Sequence, residues 1–341
     1  MATSKSKSWR IIRLAIIFLV FVLLFVFLNR LFQPKYATEL IEGSMIAQYY
    51  GENKDHEVIF IGDCEMYANF SPLVMYETQG IKAYVRGSSQ QFIWQSYYIL
   101  KETLKYEKPK VVVFSVNAVR YDKSSDKVKE EYNRLTIDQM RWSQEKIAII
   151  KESMTADESF ISYVFPILRY HSRYDKITSE DFAYFLRRKD NTFNGFLVNK
   201  EIKAVDNIPT AKRLPSYDFS QQSLSYLEMI YNLCKENGVE LMLVKAPSLY
   251  PHWYQEYDQQ IIDFAKNRDL VYYNMLDYVD EMAIDYQIDT YDAGLHLNLT
   301  GATKLSEYFA KLLKKHYDLK DYRGDPHYEQ KLETYKAFIK N

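Results

Sequence analysis

The sequence predicts a three-layer α/β fold with a doubly wound parallel sheet, a helical insertion and an N-terminal transmembrane helix. Three observations support this prediction. Short apolar runs alternate with amphipathic segments over residues 58–116 and again over residues 220–317, which is the pattern of strands alternating with helices. No strand pattern occurs in residues 122–215. A long apolar run near the N-terminus precedes the first strand and has the length of a membrane span.

The composition excludes several classes of function. The 341 residues are 47% hydrophobic and 26% charged, with a formal net charge of -1, as in an ordinary globular protein. A near-neutral chain lacks the basic surplus that binds nucleic acid, so we expect no nucleic-acid partner. Only 10 residues are glycine, and neither a P-loop nor a dinucleotide-binding fingerprint occurs. We therefore expect no cofactor.

The N-terminal region predicts a membrane anchor. Residues 1–13 form a basic tail, and residues 14–28 are an unbroken apolar run. The wider segment 11–32 can span the roughly 30 Å hydrocarbon core, because its flanking arginines can extend to the interfaces. We therefore assign residues 14–32 to a transmembrane helix. The basic residues of the tail are Lys5, Lys7, Arg10 and Arg13.

A cleaved signal peptide is the alternative interpretation of this segment. Residues 29–34 contain no small-x-small cleavage site, which favours an uncleaved anchor. The basic tail should remain inside by the positive-inside rule, so the chain after Pro34 should be exported. We therefore expect a single-pass protein of the cell membrane, with its N-terminus inside and its main domain extracytoplasmic.

Residues 33–55 predict a juxtamembrane helix or linker between the anchor and the main domain. Apolar residues recur at helical spacing from residue 37 to about residue 50. These residues are Leu40, Ile41, Met45, Ile46 and Tyr49.

Residues 56–319 are predicted to form the α/β domain. Residues 58–61 are a continuous apolar run that stops at Gly62, which is typical of a buried parallel strand. Ser71 and Pro72 open the next helix, since serine caps a helix and proline suits its first turn. The pattern then predicts a helix to residue 79, a strand at 83–85, a helix spanning 92–104 and a strand at 111–116.

The insertion at residues 122–215 is polar and helical in character. We expect it to pack over one edge of the core, where it could act as a lid. Residues 320–341 predict a C-terminal helical appendage, since their apolar residues lie at helical spacing. Between these segments the pattern predicts a helix at 224–237, a strand at 239–244, a helix around 261–265, a strand at 270–273 and a last helix at 301–317.

The two cysteines have different surroundings. Cys234 lies on the apolar face of a predicted helix together with Leu227 and Ile230, so we interpret it as a core residue. Cys64 follows the first strand in a loop. An exported pair of cysteines can form a disulfide, but these two contexts favour two free thiols.

Polar residues follow each of the first four predicted strands. In open α/β sheets, ligands bind outside the carboxyl ends of the strands, so these residues should meet in one cleft. The residues are Asp63, Cys64 and Glu65 after the first strand, Gly87, Ser88 and Ser89 after the second, Asn117 after the third, Ser248 after the fourth, and residues 291–298 before the last helix.

The order of these residues resembles that of the SGNH/GDSL hydrolase family. In that family the first block ends in Gly-Asp-Ser with serine as the nucleophile, and an Asp-x-x-His pair precedes the last helix. Here Cys64 follows Gly62 and Asp63, and Asp292 lies four residues before His296 rather than three. The resemblance covers two stretches, residues 56–121 and 239–317.

The resemblance implies a catalytic triad. Cys64 would be the nucleophile and His296 its general base, with Asp292 orienting the imidazole. Asp289 is the alternative partner of the histidine. The imidazole and the helix start after Cys64 would lower the pKa of the thiol. The reaction would pass through a thioester, which transfers its acyl group readily to an alcohol or an amine.

The resemblance also implies an oxyanion hole. The backbone amides of Cys64 and Gly87 and the side-chain amide of Asn117 would hold the developing negative charge. Asn117 lacks the glycine that normally precedes it in the family. The candidate substrate-binding residues are Glu65, Ser88, Ser248 and, from the insertion, His171.

The layout is also similar to that of the DltD-like cell-envelope proteins, which pair an N-terminal anchor with a Gly-Ser-Ser-Glu block. Gly62 and Glu65 match the outer residues of that block. This similarity implies an acyltransferase or esterase that acts on O-acyl or D-alanyl groups of cell-envelope glycopolymers such as teichoic acids. A membrane-bound acyltransferase is the candidate partner.

Each site residue also has a structural interpretation. Cys64 can be a partly buried apolar residue in a site that has lost its chemistry, His296 can stabilise the last helix, and Asn117 can form an Asx turn. The rival function is then a non-catalytic module that binds a glycopolymer or a membrane acyltransferase. We expect no metal, because the remaining histidines lack the spacing of metal ligands. They are His56, His252, His316 and His327.

Overall fold

The computed structural model falls into two compact units, each built from two separate stretches of the chain. Residues 1–39 and 156–189 form the N-terminal unit, and residues 40–155 and 190–341 form the sheet unit. The insertion predicted at residues 122–215 therefore contributes to both. The residues that the structure describes are 2–34, 44–186, 191–208 and 210–340.

The sheet unit contains a doubly wound parallel sheet, so the predicted fold class is confirmed. Its strands are β1 Val58–Gly62, β2 Ala83–Gly87, β3 Val111–Ser115, β4 Glu240–Lys245 and β5 Val271–Asn274. All are parallel, in the order β2-β1-β3-β4-β5. The chain moves outward from β1 to β2 and then passes back over β1 to β3. This reversal leaves a crevice between the carboxyl ends of β1 and β3, where ligands bind in such sheets.

Strands β1, β2 and β3 are buried on both faces, as their continuous apolar runs predict. Every residue of β1, β2 and β3 is buried. On one face Phe60 packs against Phe70 and Phe309, with ring centroids 5.2 and 5.9 Å away. Ile59 and Ile61 are also buried and point to the opposite face, because successive side chains of a strand alternate.

Helices cover both faces of this sheet. The helices in the described residues are α1 Ala2–Phe32, α2 Met45–Gln48, α3 Cys64–Asn69, α4 Pro72–Gln79, α5 Ile93–Tyr106, α6 Glu130–Ile137, α7 Gln144–Ser153, α8 Phe160–Val164, α9 Ile167–Tyr170, α10 Ser179–Leu186, α11 Gln221–Glu236, α12 Gln255–Lys266, α13 Leu299–His316 and α14 Pro326–Lys340. α4 packs against α13, whereas α5 packs against α11. The C-terminal helix α14, predicted as an appendage, places Tyr328, Leu332 and Tyr335 in the same buried cluster as α13.

The N-terminal unit contains α1, the helices α8, α9 and α10, and a short 3-10 helix, His171–Asp175, between α9 and α10. Within the described residues, one helix is long and apolar enough to cross a membrane, namely the 25-residue segment Ser8–Phe32 of α1. It includes the predicted transmembrane segment 14–32. Residues 35–43 of the predicted linker lie outside the described residues. The rest of that linker contains α2 and a short 3-10 helix, Tyr49–Gly51.

Candidate active site

The end of β1 places Cys64 at the crevice between β1 and β3. Gly62 closes the strand, Asp63 follows, and Cys64 is the first residue of α3. The neighbouring β2 continues to Gly87, beyond its predicted end, because Gly87 pairs with Gly62 in the ladder. A Cβ atom on Gly87 would lie 3.0 Å from the carbonyl oxygen of Gly62 and 3.2 Å from that of Asp63. Glycine at this position therefore allows β2 to end directly beside the Cys64 turn.

Asp63 connects the ends of β1 and β3. Its Oδ1 accepts a hydrogen bond from the backbone amide of Glu65 (3.1 Å), so Asp63 caps α3. Its Oδ2 accepts one from Nδ2 of Asn117 (2.6 Å), which follows β3. Burial and the neighbouring Glu65 carboxylate raise the pKa of Asp63 to about 6, and the hydrogen bond from Asn117 opposes that rise.

The raised pKa of Asp63 predicts a pH dependence of stability. Folding favours the protonated carboxyl, because its pKa is about 6 in the fold against an ordinary value of 3.8. The resulting stabilisation, about 3 kcal/mol, is complete below the ordinary value and is lost as the pH rises through 6. Asp63→Asn should flatten this decline in thermal melts between about pH 4 and pH 7. Asp126→Asn, at an exposed loop position, is the control. An unaltered decline in Asp63→Asn would assign it to another group.

Asp292 holds His296 with both of its carboxylate oxygens. Oδ2 lies 2.6 Å from Nδ1 of the imidazole, and Oδ1 accepts the backbone amide of His296 at 2.7 Å. The loop between them is compact because Ala293 and Gly294 adopt left-handed φ angles of 63° and 97°. The hydroxyl of Thr290 accepts a hydrogen bond from the backbone amide of Gly294 (2.8 Å). The same hydroxyl donates a hydrogen bond to the carbonyl oxygen of His296 (2.7 Å). This turn accommodates the four-residue spacing between the aspartate and the histidine.

Asp289, the alternative partner, is engaged elsewhere. Its Oδ2 forms an ion pair with Nζ of Lys304 (2.6 Å) and accepts the backbone amide of Asp285 (2.8 Å). The structure therefore brings Asp292, and not Asp289, to the imidazole.

The thiol of Cys64 and the imidazole of His296 are close enough to affect each other's pKa. Burial raises the pKa of the Cys64 thiol, and the adjacent imidazole opposes this by favouring the thiolate. Burial acts to lower the pKa of His296, but the interactions with Cys64 and Asp292 outweigh it and raise that pKa well above its usual value. Because Asp292 occupies Nδ1, Nε2 is the ring nitrogen that remains. It is buried and has no hydrogen-bond partner of standard geometry among the described residues.

A buried ion pair lies next to Cys64 along the chain. Oε1 of Glu65 is 2.8 Å from Nζ of Lys245, and both side chains are buried. Lys245 is the last residue of β4, and its ammonium also donates to the carbonyl oxygen of Ala246 at 2.7 Å. Burial lowers the pKa of Lys245, and Glu65 opposes that change. Sequence analysis did not assign Lys245 to the site. The available signal was a lysine at the end of an otherwise apolar strand.

Arg120 is a second cation that the sequence analysis did not identify. It ends the short 3-10 helix Val116–Arg120 after β3, and its Nε donates to the carbonyl oxygen of Asn117 at 3.3 Å. Its charge acts to lower the pKa values of both Asp63 and Lys245, so its guanidinium lies within electrostatic reach of both. The strand ends therefore combine two carboxylates with two cations.

Several buried polar atoms at the strand ends lack hydrogen-bond partners among the described residues. Buried polar atoms are normally paired with a hydrogen-bond partner. A group of unpaired buried polar atoms is therefore what we expect at a site where a polar ligand supplies the missing partners. The unpaired atoms include Oε2 of Glu65, Oδ1 of Asn117, Oγ of Ser248 and, in the loop before α13, Nε2 of His296.

The other two candidate substrate-binding residues have different surroundings. The hydroxyl of Ser88 is buried and bonded to Oε1 of Gln91 (3.1 Å) and Oγ1 of Thr136 (2.6 Å). His171 belongs to the N-terminal unit, where it is exposed and its Nδ1 lies 3.2 Å from the carbonyl oxygen of Leu168. Both cysteines are free, with Cys234 fully buried in α11. In the described part of the chain, no cluster of three or more His, Cys, Asp or Glu residues has the arrangement of a metal site.

Comparison with known proteins identifies GDSL-type lipolytic proteins among the similar solved structures. A GDSL-like lipase from Bacteroides thetaiotaomicron matches 81% of this chain and 100% of its own, at 12% identity and a TM-score of 0.38. A Bacteroides fragilis protein classed as an acylhydrolase matches 79% of this chain and 94% of its own, at 11% identity and a TM-score of 0.38. A Desulfitobacterium hafniense protein classed in the G-D-S-L lipolytic family matches 76% of this chain and 100% of its own, at 11% identity and a TM-score of 0.37.

No family model matches the sequence, and no curated protein matches it. Identities and TM-scores as low as those of the solved structures do not define a shared fold. The fold of this chain is therefore defined by its own sheet, a five-stranded parallel sheet of order β2-β1-β3-β4-β5.

Proposed function

We propose that this chain is a membrane-anchored, extracytoplasmic acyltransferase or esterase with Cys64 as its nucleophile. The observation that carries the proposal is the arrangement around His296. Both oxygens of Asp292 bond to it, its buried Nε2 has no hydrogen-bond partner among the described residues, and its ring is close enough to the Cys64 thiol to affect the pKa of that thiol. This arrangement supports the roles that we assign, with Cys64 as nucleophile, His296 as base and Asp292 as the orienting carboxylate. A histidine with a purely structural role would bond both ring nitrogens, because an unpaired buried polar atom destabilises the fold.

The first step forms an acyl-enzyme. Nε2 of His296 accepts the thiol proton, and the Cys64 thiolate attacks the carbonyl carbon of an acyl ester. When the tetrahedral intermediate collapses, the bond to the ester oxygen breaks, and His296 donates the proton to the leaving alkoxide. The acyl group then remains on Cys64 as a thioester.

The second step transfers the acyl group. His296 accepts a proton from the hydroxyl of an acceptor or from water, and the resulting nucleophile attacks the thioester. The carbon–sulfur bond breaks, and the Cys64 thiolate recovers the proton from His296. A polymer hydroxyl as acceptor makes the protein an acyltransferase, whereas water makes it an esterase.

Gly87, Asn117 and the Cys64 amide form the proposed oxyanion hole. Gly87 is close enough to the Cys64 turn that a side chain would be crowded by backbone oxygens. Nδ2 of Asn117 carries two hydrogens, and Asp63 accepts only one of them. The second is available for the oxyanion, and the bond to Asp63 fixes the orientation of the amide.

The proposed substrates are O-acyl or D-alanyl groups on cell-envelope glycopolymers. The support is the similarity of layout described for the sequence, with an apolar N-terminal helix ahead of the sheet unit. A polymer rich in hydroxyl groups would also satisfy the unpaired polar atoms of Glu65 and Ser248. A membrane-bound acyltransferase would be the partner that supplies or receives the acyl group.

Trapping of the acyl-enzyme tests this proposal. The full chain is treated with an activated acyl ester and then digested for mass spectrometry. Cys64 should carry the acyl group while Cys234, fully buried in α11, stays unmodified and serves as the internal control. The proposal fails if Cys64 reacts no faster than Cys234 in the folded protein. In cells, Cys64→Ala should reproduce the loss of envelope acylation caused by deletion of the whole protein.

A non-catalytic module that binds a glycopolymer is the second candidate. It is favoured by burial, which raises the pKa of Cys64 and keeps its thiol protonated. Under this alternative, Cys64→Ala restores envelope acylation in the deletion strain as well as the native chain does. Removal of a buried polar group that leaves no charge behind, for example by Ser248→Ala, would instead abolish complementation.

A further inference from the structure

We propose that helices α8, α9 and α10 form a membrane-surface element, with their exposed apolar side chains in the lipid beside the end of α1. The inference rests on the membrane anchor of the proposed function and does not depend on the chemistry of Cys64. All four helices belong to the N-terminal unit.

Aromatic rings attach these helices to the last turns of α1. Phe165, just after α8, packs on Phe25 with ring centroids 5.4 Å apart, and Phe185 of α10 stacks on Phe27 at 5.1 Å. Such ring pairs stabilise a contact beyond the area that they bury. The α8–α10 segment is therefore held against the apolar surface of α1 itself.

Two hydrogen bonds secure the same contact at the end of α1. The backbone amide of Ile167 donates to Oδ1 of Asn29 at 3.2 Å, and Asn29 is itself buried. Nη1 of Arg173 donates to the carbonyl oxygen of Phe32, the last residue of α1, at 2.7 Å. The second bond pairs one of the carbonyl groups that a helix leaves unpaired at its end.

The position of these contacts along α1 determines how deep they lie in the membrane. Arg30 is the charged residue at the C-terminal end of the apolar segment, and an arginine there sits at the level of the lipid head groups. At about 1.5 Å per residue, Phe27 lies about 5 Å and Phe25 about 8 Å below it. Interfacial helices bury their apolar faces by about 5–10 Å. The rings of Phe165 and Phe185 therefore lie at the depth of an interfacial helix.

The same helices expose large apolar side chains that nothing within their unit covers. Ile161 is 48% exposed, Leu168 is 53% exposed and Phe182 is 49% exposed. In water this exposure is unfavourable by about 25 cal/mol per Å² of apolar surface. Phe182 lies beside Phe27 of α1, with ring centroids 6.4 Å apart, and α9 packs against α1. The most apolar window of α1 has no buried residue in the described structure. Lipid must cover that window if α1 spans a membrane, so lipid is the occupant of the adjoining surface.

Spin labels on the full chain in phosphatidylcholine–phosphatidylglycerol vesicles test the inference. The background is Cys64→Ala, and Cys234 stays unlabelled because it is fully buried. Single cysteines are placed at Ile161 and Leu168, at Leu19 as a reference inside the span, and at Asp126 on an exposed loop of the sheet unit. The measurement compares collision with oxygen, which concentrates in lipid, and with a nickel chelate, which stays in water. The oxygen-to-nickel collision ratio at positions 161 and 168 should exceed that at 126 several-fold, without reaching that at 19.

Three results would overturn the inference, and each has its own pattern. Ratios at 161 and 168 equal to that at 126, with a lipid-like ratio at 19, would mean that α8–α10 stand in water beside an intact anchor. Exclusion of both reagents at 161 and 168 would mean that a protein partner covers the surface. A water-like ratio at 19 would remove the anchor together with the inference, while acylation of Cys64 would still decide the enzymatic proposal separately.

Discussion

If His296 is the general base, His296→Ala should lower the rate of Cys64 acylation by about 10²- to 10⁴-fold, the range that a positioned general base contributes. The variant would lose the proposed acceptor for the thiol proton. It also loses the imidazole that opposes the burial-induced rise in the pKa of Cys64, so less thiolate is present at neutral pH. The difference in acylation rate between the variant and the native chain should become smaller as the pH is raised, because hydroxide can then deprotonate the thiol in place of the imidazole. Acylation is followed by mass spectrometry of the full chain between about pH 6 and pH 10.

His327→Ala is the matched control for this prediction, since His327 is an exposed histidine of α14. It should acylate at the native rate. Asp292→Asn should give an intermediate loss, because the carboxylate that orients Nδ1 and raises the pKa of His296 is removed while the ring remains. Equal rates for the native chain and His296→Ala at every pH would exclude His296 as the base.

We expect Lys245→Met to destabilise the sheet unit by about 3–5 kcal/mol, the usual effect of removing one partner of a buried ion pair. Glu65 would be left with an uncompensated charge in the interior, where its Oε2 already has no partner among the described residues. Chemical denaturation of the detergent-solubilised full chain, followed by tyrosine and tryptophan fluorescence, measures the effect.

An exposed ion pair in the same unit provides the control. Lys336 and Glu77 are 2.6 Å apart, and their side chains are 43% and 42% exposed. Because water solvates the remaining partner, Lys336→Met should cost no more than about 1 kcal/mol. The double variant Glu65→Gln with Lys245→Met should recover most of the lost stability, since no buried charge remains. A similar cost for Lys245→Met and Lys336→Met would contradict the account of a buried pair.

The strands were predictable because a buried strand requires a continuous run of apolar residues, which can be recognised in the sequence. The apolar runs that became β1 and β3 are buried on both faces, and a parallel strand covered on both faces needs apolar residues at every position. Helix α4 begins at Pro72, as the preceding serine and the proline predicted. The extra length of β2 was not predictable from its own residues, since it depends on the pairing of Gly87 with Gly62.

The division of the insertion between the two units could not be predicted from local sequence patterns either. Residues 122–215 look uniformly polar and helical, yet α6 and α7 belong to the sheet unit and α8–α10 to the unit of α1. Which unit a helix joins depends on the surfaces that cover its apolar face. Amphipathic spacing reports only that such a face exists.

The sequence by itself determined the doubly wound sheet, the apolar N-terminal helix and the set of residues at the strand ends, because each depends on local periodicity or on chain order. Only the tertiary structure decided how those residues pair. It joined Glu65 to Lys245 across 180 positions, and Asn117 to Asp63 across 54. It also turned the loop at Ala293 so that Asp292 reaches the imidazole. The physical reason is that hydrogen bonds and ion pairs act over about 3 Å in space, whereas sequence patterns report only which side of an element is buried.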